Sequence, residues 1–200
     1  MKERLSAEER RRQIVEAAVE LFSRKGFRGT RTREIAEAAG ISEAMIFKHF
    51  ATKRELYSAI IEAKSATDEL LASAAIAARQ HDDAGVLRAV GLKMIEQTEA
   101  DPSLMRLLLF SALEGHELSD IFFESRVKTL HQFLSSYIRK RIKDKRFRAI
   151  DALVAARGFI GMVVHYLLIH ELFGIKRPLH SSSEEVVELF AAIFLKGIER

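Results

Sequence analysis

The chain has 200 residues, 48% of them apolar, with two prolines and no cysteine, which allows a small domain plus a larger one and excludes disulfides, thiolate catalysis and cysteine-based metal sites. Its net charge of +4 is unevenly spread: residues 1–54 carry 13 Lys and Arg against 8 Asp and Glu, while residues 55–200 carry 19 against 20. A basic N-terminal unit ahead of a nearly neutral remainder fits attraction to a polyanion at one end, and a charged N-terminus with no apolar signal segment argues for a cytoplasmic protein.

The first helical pattern covers residues 8–25. Ile14, Ala17, Ala18, Leu21 and Phe22 recur at i, i+3, i+4, i+7 and i+8, an apolar stripe with charges around the rest. A second, shorter helix follows. Thr30 or Thr32 can cap it, Glu34 sits in its first turn, Ile35, Ala36 and Ala39 form its inner face, and Gly40 closes it. Beyond Gly40, Ser42 caps a third helix that reaches His49 or Phe50, with Glu43 in its electropositive first turn. Met45, Ile46 and Phe50 can anchor this helix, which leaves Ser42, Ala44, Phe47, Lys48 and His49 on the outside. Two short helices meeting at a glycine, the second presenting small and polar groups, form a helix-turn-helix pattern. In that motif the second helix enters the DNA major groove, and an ordinary helical hairpin is the alternative.

The segments GFRGT (Gly26–Thr30), REIAEAAGIS (Arg33–Ser42) and FKHFATKREL (Phe47–Leu56), behind the Ile14–Phe22 helix, resemble the DNA-binding domain of the TetR family of bacterial transcriptional regulators. The resemblance implies DNA contacts from Thr30, Thr32 and Arg33, from Ser42, Glu43 and Ala44 at the start of the recognition helix, and from Phe47, Lys48 and His49 later in it. Arg33 could bridge guanine O6 and N7, and Lys53 would touch a phosphate and so position the protein without reading sequence. Two positions depart from the family's pattern. Phe47 replaces a common tyrosine and loses its hydroxyl contact to phosphate, and Glu43 replaces a frequent lysine, where it could accept from cytosine N4 or simply favour the helix N-terminus.

The rest of the chain reads as helices at about 53–79, 84–100, 103–114, 118–142, 147–173 and 183–198, with no convincing strand. The expected fold is therefore all-α with about nine helices. Residues 1–52 form the three-helix DNA-binding domain, and residues 53–200 form a helical effector-binding and dimerisation domain. The basic run Arg139–Arg148 is explained as helix C-terminal cations and a solvated loop. Residues Ala152–Ile169 are long enough to span a membrane, but Arg157, His165 and the glycines Gly158 and Gly161, without any second such stretch, argue for a buried helix and no membrane partner.

Apolar residues on more than one face of the last helices call for a second copy. A four-helix interface would bring together Arg157, Gly158, Gly161, Phe190 and Phe194, and the homodimer would present two recognition helices to a pseudo-palindromic operator in double-stranded DNA. Met94, Met105, Phe110, Leu113, Phe123, Phe159, Met162 and Tyr166 supply large, adaptable side chains for an apolar effector pocket. Glu114, His116 and His165 are candidates to orient its ligand. The resemblance implies a small organic effector that shifts the population away from the DNA-binding state, most often in a repressor. No P-loop, dinucleotide turn, nucleophile motif or metal-ligand spacing is present, so neither an enzyme nor a cofactor is expected. The alternative is a helical adaptor that keeps the fold, binds protein, and does not depend on Arg33, Lys48 and Lys53.

Overall fold

The computed structural model describes residues 5–64, 67–115, 119–121, 123–176 and 182–200. Ten α-helices are delimited among them: α1 Ala7–Lys25, α2 Thr32–Ala38, α3 Glu43–His49, α4 Lys53–Lys64, α5 Thr67–Arg79, α6 Asp83–Ala100, α7 Ser103–Glu114, α8 Lys128–Lys143, α9 Ala152–Leu167 and α10 Ser183–Ile198. Single π-helical turns precede α8 at Phe123–Val127 and extend α9 at Leu168–Leu172. The described residues contain no strand, only an isolated antiparallel bridge between Phe147 and Glu199.

The chain divides into two compact units. The first joins residues 1–65 to residues 103–125, and the second joins 66–102 to 126–200. This grouping differs from the expected boundary after residue 52. The reason is visible in α4, where Leu56, Tyr57, Ile60 and Ile61 are almost wholly buried and make the helix part of the first core. In that unit α1 packs on α2, α4 and α7, and α2 packs on α3. Phe22, Phe27 and Tyr57 form an aromatic cluster with centroids 5.6 to 5.8 Å apart, and the Tyr57 hydroxyl donates to Leu107 O at 3.3 Å. Each such buried side chain contributes roughly 1.5–3 kcal/mol of transfer free energy, so α4 and α7 are part of what holds α1 in place.

In the second unit α6 is central and packs on α5, α9 and α10, while α8 packs on α9 and α5. Gly91 marks a close approach of α6 to α10: a Cβ there would come within 2.7 Å of Val187 Cγ1. Arg141, only 6% exposed, donates to both carboxylate oxygens of Asp83 at 2.7 and 2.8 Å, and Tyr137 donates to the same carboxylate at 2.5 Å. Burial alone would raise the Asp83 carboxyl, but the hydrogen bonds from Arg141 and Tyr137 and the guanidinium charge hold it below the usual carboxylate range. The basic run at the end of α8 is thus partly internal. Arg141 ties the α8 C-terminus to the start of α6, whereas Arg139, Lys140, Lys143 and Lys145 are exposed, as expected.

Several expected boundaries shift. The helix expected from 147 begins at Ala152, because Asp151 caps it, accepting from Leu153 N and Val154 N at 2.8 and 3.0 Å, while Phe147 is drawn into the bridge with Glu199. The helix expected over 53–79 is two elements, α4 and α5, with residues 65 and 66 outside the described residues. The apolar run Ala152–Leu172 is long and apolar enough by composition to cross a membrane, yet Ala156, Phe159, Ile160, Val163, Tyr166 and Leu167 are buried within the unit as one helical face.

Candidate nucleic-acid interface

Gly40 makes the turn between α2 and α3 with φ +63°, and a Cβ there would meet nothing within 4 Å, so only its backbone conformation calls for glycine. Gly40 N donates to Glu37 O at 3.1 Å and Ile41 N to Ala36 O at 3.0 Å, the paired bonds of a Schellman motif that satisfy the last carbonyls of α2. The Ser42 hydroxyl caps α3 by accepting from Met45 N at 3.3 Å. Ile46 is 1% exposed and seats the helix on the core.

Two side chains of α1 hold the far ends of both short helices. Gln13 Nε2 donates to Ala39 O at 2.9 Å, at the end of α2. Arg11 Nη1 donates to His49 O at 3.0 Å, at the end of α3, and its guanidinium lies 4.1 Å above the Phe50 ring. These positive and polar donors meet the electronegative ends of the helices, so α1 fixes where α2 and α3 point.

The outward surface carries Arg31, Arg33, Ser42, Glu43, Ala44 and Lys48 as exposed residues, Thr32 and His49 as half-buried ones, and a Phe47 ring 48% exposed. Arg33 Nε pairs with Glu37 at 3.0 Å across two exposed side chains. A pair so solvated is worth at most about 1 kcal/mol, so its arginine can be released to a phosphate or a base edge. A concavity of about 460 Å³ is lined here by Gly29, Arg31, Arg33, Glu34 and Glu37.

Three expectations for this surface are corrected. Thr30 is 1% exposed, and its hydroxyl donates to Gly26 O at 2.8 Å, so its side chain serves the turn after α1 and does not reach DNA. The N-cap of α2 is Arg31, whose amide donates to Glu34 Oε2 at 2.7 Å, and neither Thr30 nor Thr32 fills that place. Lys53 turns inward. Its ammonium donates to Phe27 O and lies 4.2 Å from the Phe27 ring centroid and 5.6 Å from that of Phe22, and burial holds its pKa below the usual lysine value despite Glu114 and Glu34. Arg11, Gln13 and Arg31 were not foreseen. The bonds of Arg11 and Gln13 span 38 and 26 residues, beyond the reach of local spacing.

The candidate effector residues fall in both compact units. Met105, Phe110, Leu113 and Phe123 belong to the first unit, and Met94, Phe159, Met162 and Tyr166 to the second. Leu113 is 84% exposed and Phe123 41%, which removes both from an enclosed pocket within their unit. His165 is exposed, and His116 lies outside the described residues. Glu114 is committed elsewhere: its carboxylate accepts from Phe27 N at 2.8 Å and from Arg28 N at 3.2 Å.

On α9 and α10 the expected interface divides. Arg157, Gly158 and Gly161 are exposed, next to Val154 at 63%. Phe194 and Phe190 are half-buried, Phe194 meeting Phe159 with centroids 5.5 Å apart and Phe190 meeting Tyr166 at 6.1 Å. The exposed apolar residues of α10 are instead Leu189 and Ile193, at 57% and 54%.

Comparison with known proteins agrees with this arrangement. The family model for bacterial regulatory proteins of the tetR family matches residues 14–60, and that for the C-terminal domain of AefR-like transcriptional repressors matches residues 85–197. The HTH-type transcriptional regulatory protein RaaS of Mycobacterium tuberculosis is 32% identical over 163 residues, which cover 79% of this chain and 71% of that protein. Among solved structures, the fatty acid degradation regulator FadR of Bacillus halodurans superposes with a TM-score of 0.76 at 18% identity, covering 99% of this chain and all of the other. AibR, solved in complex with isovaleryl coenzyme A and operator DNA, superposes with a TM-score of 0.70 at 24% identity, covering 92% and 97%. At these identities the structures speak for the fold alone.

Proposed function

This chain belongs to the TetR family of bacterial regulatory proteins and is a DNA-binding transcriptional regulator, not an enzyme; from that premise we propose that it is a cytoplasmic repressor which binds a pseudo-palindromic operator as a homodimer and is released by a small, largely apolar effector. The observation that carries the reading is the exposed surface of Ser42, Glu43, Ala44, Phe47 and Lys48 on a helix whose start is capped by Ser42 and whose end is held by Arg11. Its small N-terminal residues permit close approach to base edges, and the bare Phe47 ring can pack on sugar or a thymine methyl. Thr32 and Arg33, beside the concavity at the start of α2, supply further phosphate or guanine contacts, and His49 a phosphate donor.

The homodimer rests on Val154, Leu189 and Ile193, which stay exposed on α9 and α10 beside Arg157, Gly158 and Gly161. The glycines let a second helix pair approach closely, and a two-fold interface is self-complementary, so one such face can cover its own copy. The effector rests on likeness to relatives such as AibR and on the thioether and aromatic side chains of Met94, Met162, Phe159 and Tyr166 in the second unit. The adaptor alternative is not favoured by a family match that takes in the whole DNA-binding motif.

Selection of bound sequences from a random DNA pool, paired with sedimentation of the protein alone, tests the reading. Recovery of an inverted repeat by a dimeric protein supports it. Recovery of no preferred sequence, or a monomer at micromolar concentration, overturns it.

A further inference from the structure

We propose that Glu114 is a positioning residue for DNA binding, acting through the turn that joins α1 to α2. Glu114 is the last residue of α7, where the helix end is electronegative and an acid is disfavoured. What compensates it lies in the same compact unit: its carboxylate receives Phe27 N at 2.8 Å and Arg28 N at 3.2 Å, the two amides that follow the Gly26 cap of α1. Lys53 donates to the carbonyl of the same residue, Phe27 O, and its ammonium rests against the Phe27 ring. The N–H, the ring and the carbonyl of one residue are therefore held by an anion from α7 and a cation from α4.

This grip is continuous with the DNA-facing helices. The turn it holds is followed by Thr30, whose hydroxyl closes on Gly26 O, and by Arg31, whose amide is taken by Glu34. Glu34 in turn accepts from Lys25 at 2.6 Å, tying the start of α2 back to the end of α1. Gly26 completes the fit. It has φ +73°, and a Cβ on it would overlap the Glu114 carboxylate and lie 2.8 Å from Phe110 Cδ1. A charge-assisted bond to two adjacent amides sets the direction of the chain as it enters α2, and α2 carries α3 through the Gly40 turn. The inference deepens the DNA-binding reading and depends on it for its functional arm.

The test compares the full-length protein with Glu114→Gln and Glu114→Asp. Glutamine keeps the length and loses the charge, and aspartate keeps the charge but falls short by one methylene. The probes are the DNA recovered by wild-type selection and a random duplex of equal length, at one salt concentration, together with amide hydrogen exchange in free protein. The expected result is a loss of about tenfold in affinity for the selected DNA, with random-duplex binding within about twofold, because phosphate attraction does not need the exact helix direction. Amides of Phe27, Arg28, Ile35 and Ala36 should exchange faster in both variants, while Ile60 in α4 is unchanged. Unchanged exchange at Ile35 and Ala36, or an unchanged ratio of selected to random affinity in both variants, overturns the proposal. A fall in melting temperature without a change in that ratio also overturns it, since it leaves Glu114 a packing role only. If wild-type protein selects no DNA, the DNA reading fails by itself, and the exchange measurement still decides whether Glu114 holds α2.

Discussion

Arg11 and His49 are joined across 38 residues: a guanidinium from the first helix donates to the last carbonyl of the recognition helix at 3.0 Å. The same guanidinium covers the Phe50 ring, so one exposed arginine both satisfies a helix end and seals the core beneath it.

Arg11→Ala should cost roughly 1 kcal/mol in stability, the scale of one hydrogen bond with a solvated cation–π contact. Affinity for the selected DNA should fall by more than stability alone explains at temperatures where the variant is fully folded. Arg11→Lys, which keeps a charge at the helix end but loses the planar stack, should recover part of that loss. Thermal melting and DNA titration on the same samples check the pair.

Gly26 and Gly40 separate two reasons for glycine. Both have positive φ, but only Gly26 has neighbours where a Cβ would stand. Gly40→Ala should cost about 1 kcal/mol, the conformational penalty alone. Gly26 also has ψ 176°, outside the left-handed helical region open to alanine, so Gly26→Ala adds that strain to displacement of Glu114 and Phe110 and should cost about 3 kcal/mol. Chemical denaturation of the two variants gives the difference, and equal costs would mean that neither the backbone at Gly26 nor Glu114 resists the change.

The Asp83 carboxyl titrates below its unfolded value. Its contribution to stability is therefore complete above the unfolded carboxylate pKa near 4 and is lost as the pH falls through the folded value. Asp83→Asn should leave the buried Arg141 with only its longer, 3.3 Å pair to the exposed Asp144 and cost roughly 3 kcal/mol at neutral pH. The variant should also show a shallower loss of stability in acid than the wild type. Denaturation midpoints measured from pH 3 to pH 7 read both effects.

Ile193→Glu alters a side chain that is 54% exposed within the protomer, so folding should change by less than about 0.5 kcal/mol. In the proposed dimer the same carboxylate would be buried without a partner, weakening association by about 3 kcal/mol, or two orders of magnitude. Sedimentation should show monomer where the wild type is dimer. A variant that stays fully dimeric would move the interface away from this face.

How much of this was legible in the sequence depended on distance along the chain. The helix-turn-helix was readable because its determinants are local: the α1 stripe, the Gly40 turn and the Ser42 cap lie within a few residues of what they act on. What holds the motif in place was not, because Arg11, Gln13 and Glu114 act over 26 to 87 residues. Lys53 has the right position for a phosphate contact, and only the stacked Phe22 and Phe27 rings explain why it points inward. On α10 the apolar residues run around the helix, so periodicity could not separate Phe190 and Phe194, half-buried against Tyr166 and Phe159, from Leu189 and Ile193, which are exposed. The start of α2 differs from either expected cap, Thr30 or Thr32, because Arg31 has no side chain that signals a cap and Glu34 reaches back to its amide.

Residues 103–125 belong to the same compact unit as residues 1–65, and this sets the order of events on the ribosome. A nascent chain that has released α1 to α4 still lacks Leu107, which receives the Tyr57 hydroxyl, and Glu114, which receives two amides of the turn. At roughly 5–20 residues per second, the missing helix follows after an interval on the order of several seconds. During that interval the DNA-binding helices are incomplete, so a newly made chain gains its firm hold on the turn before α2 only after α5 and α6 of the second unit have also been synthesised.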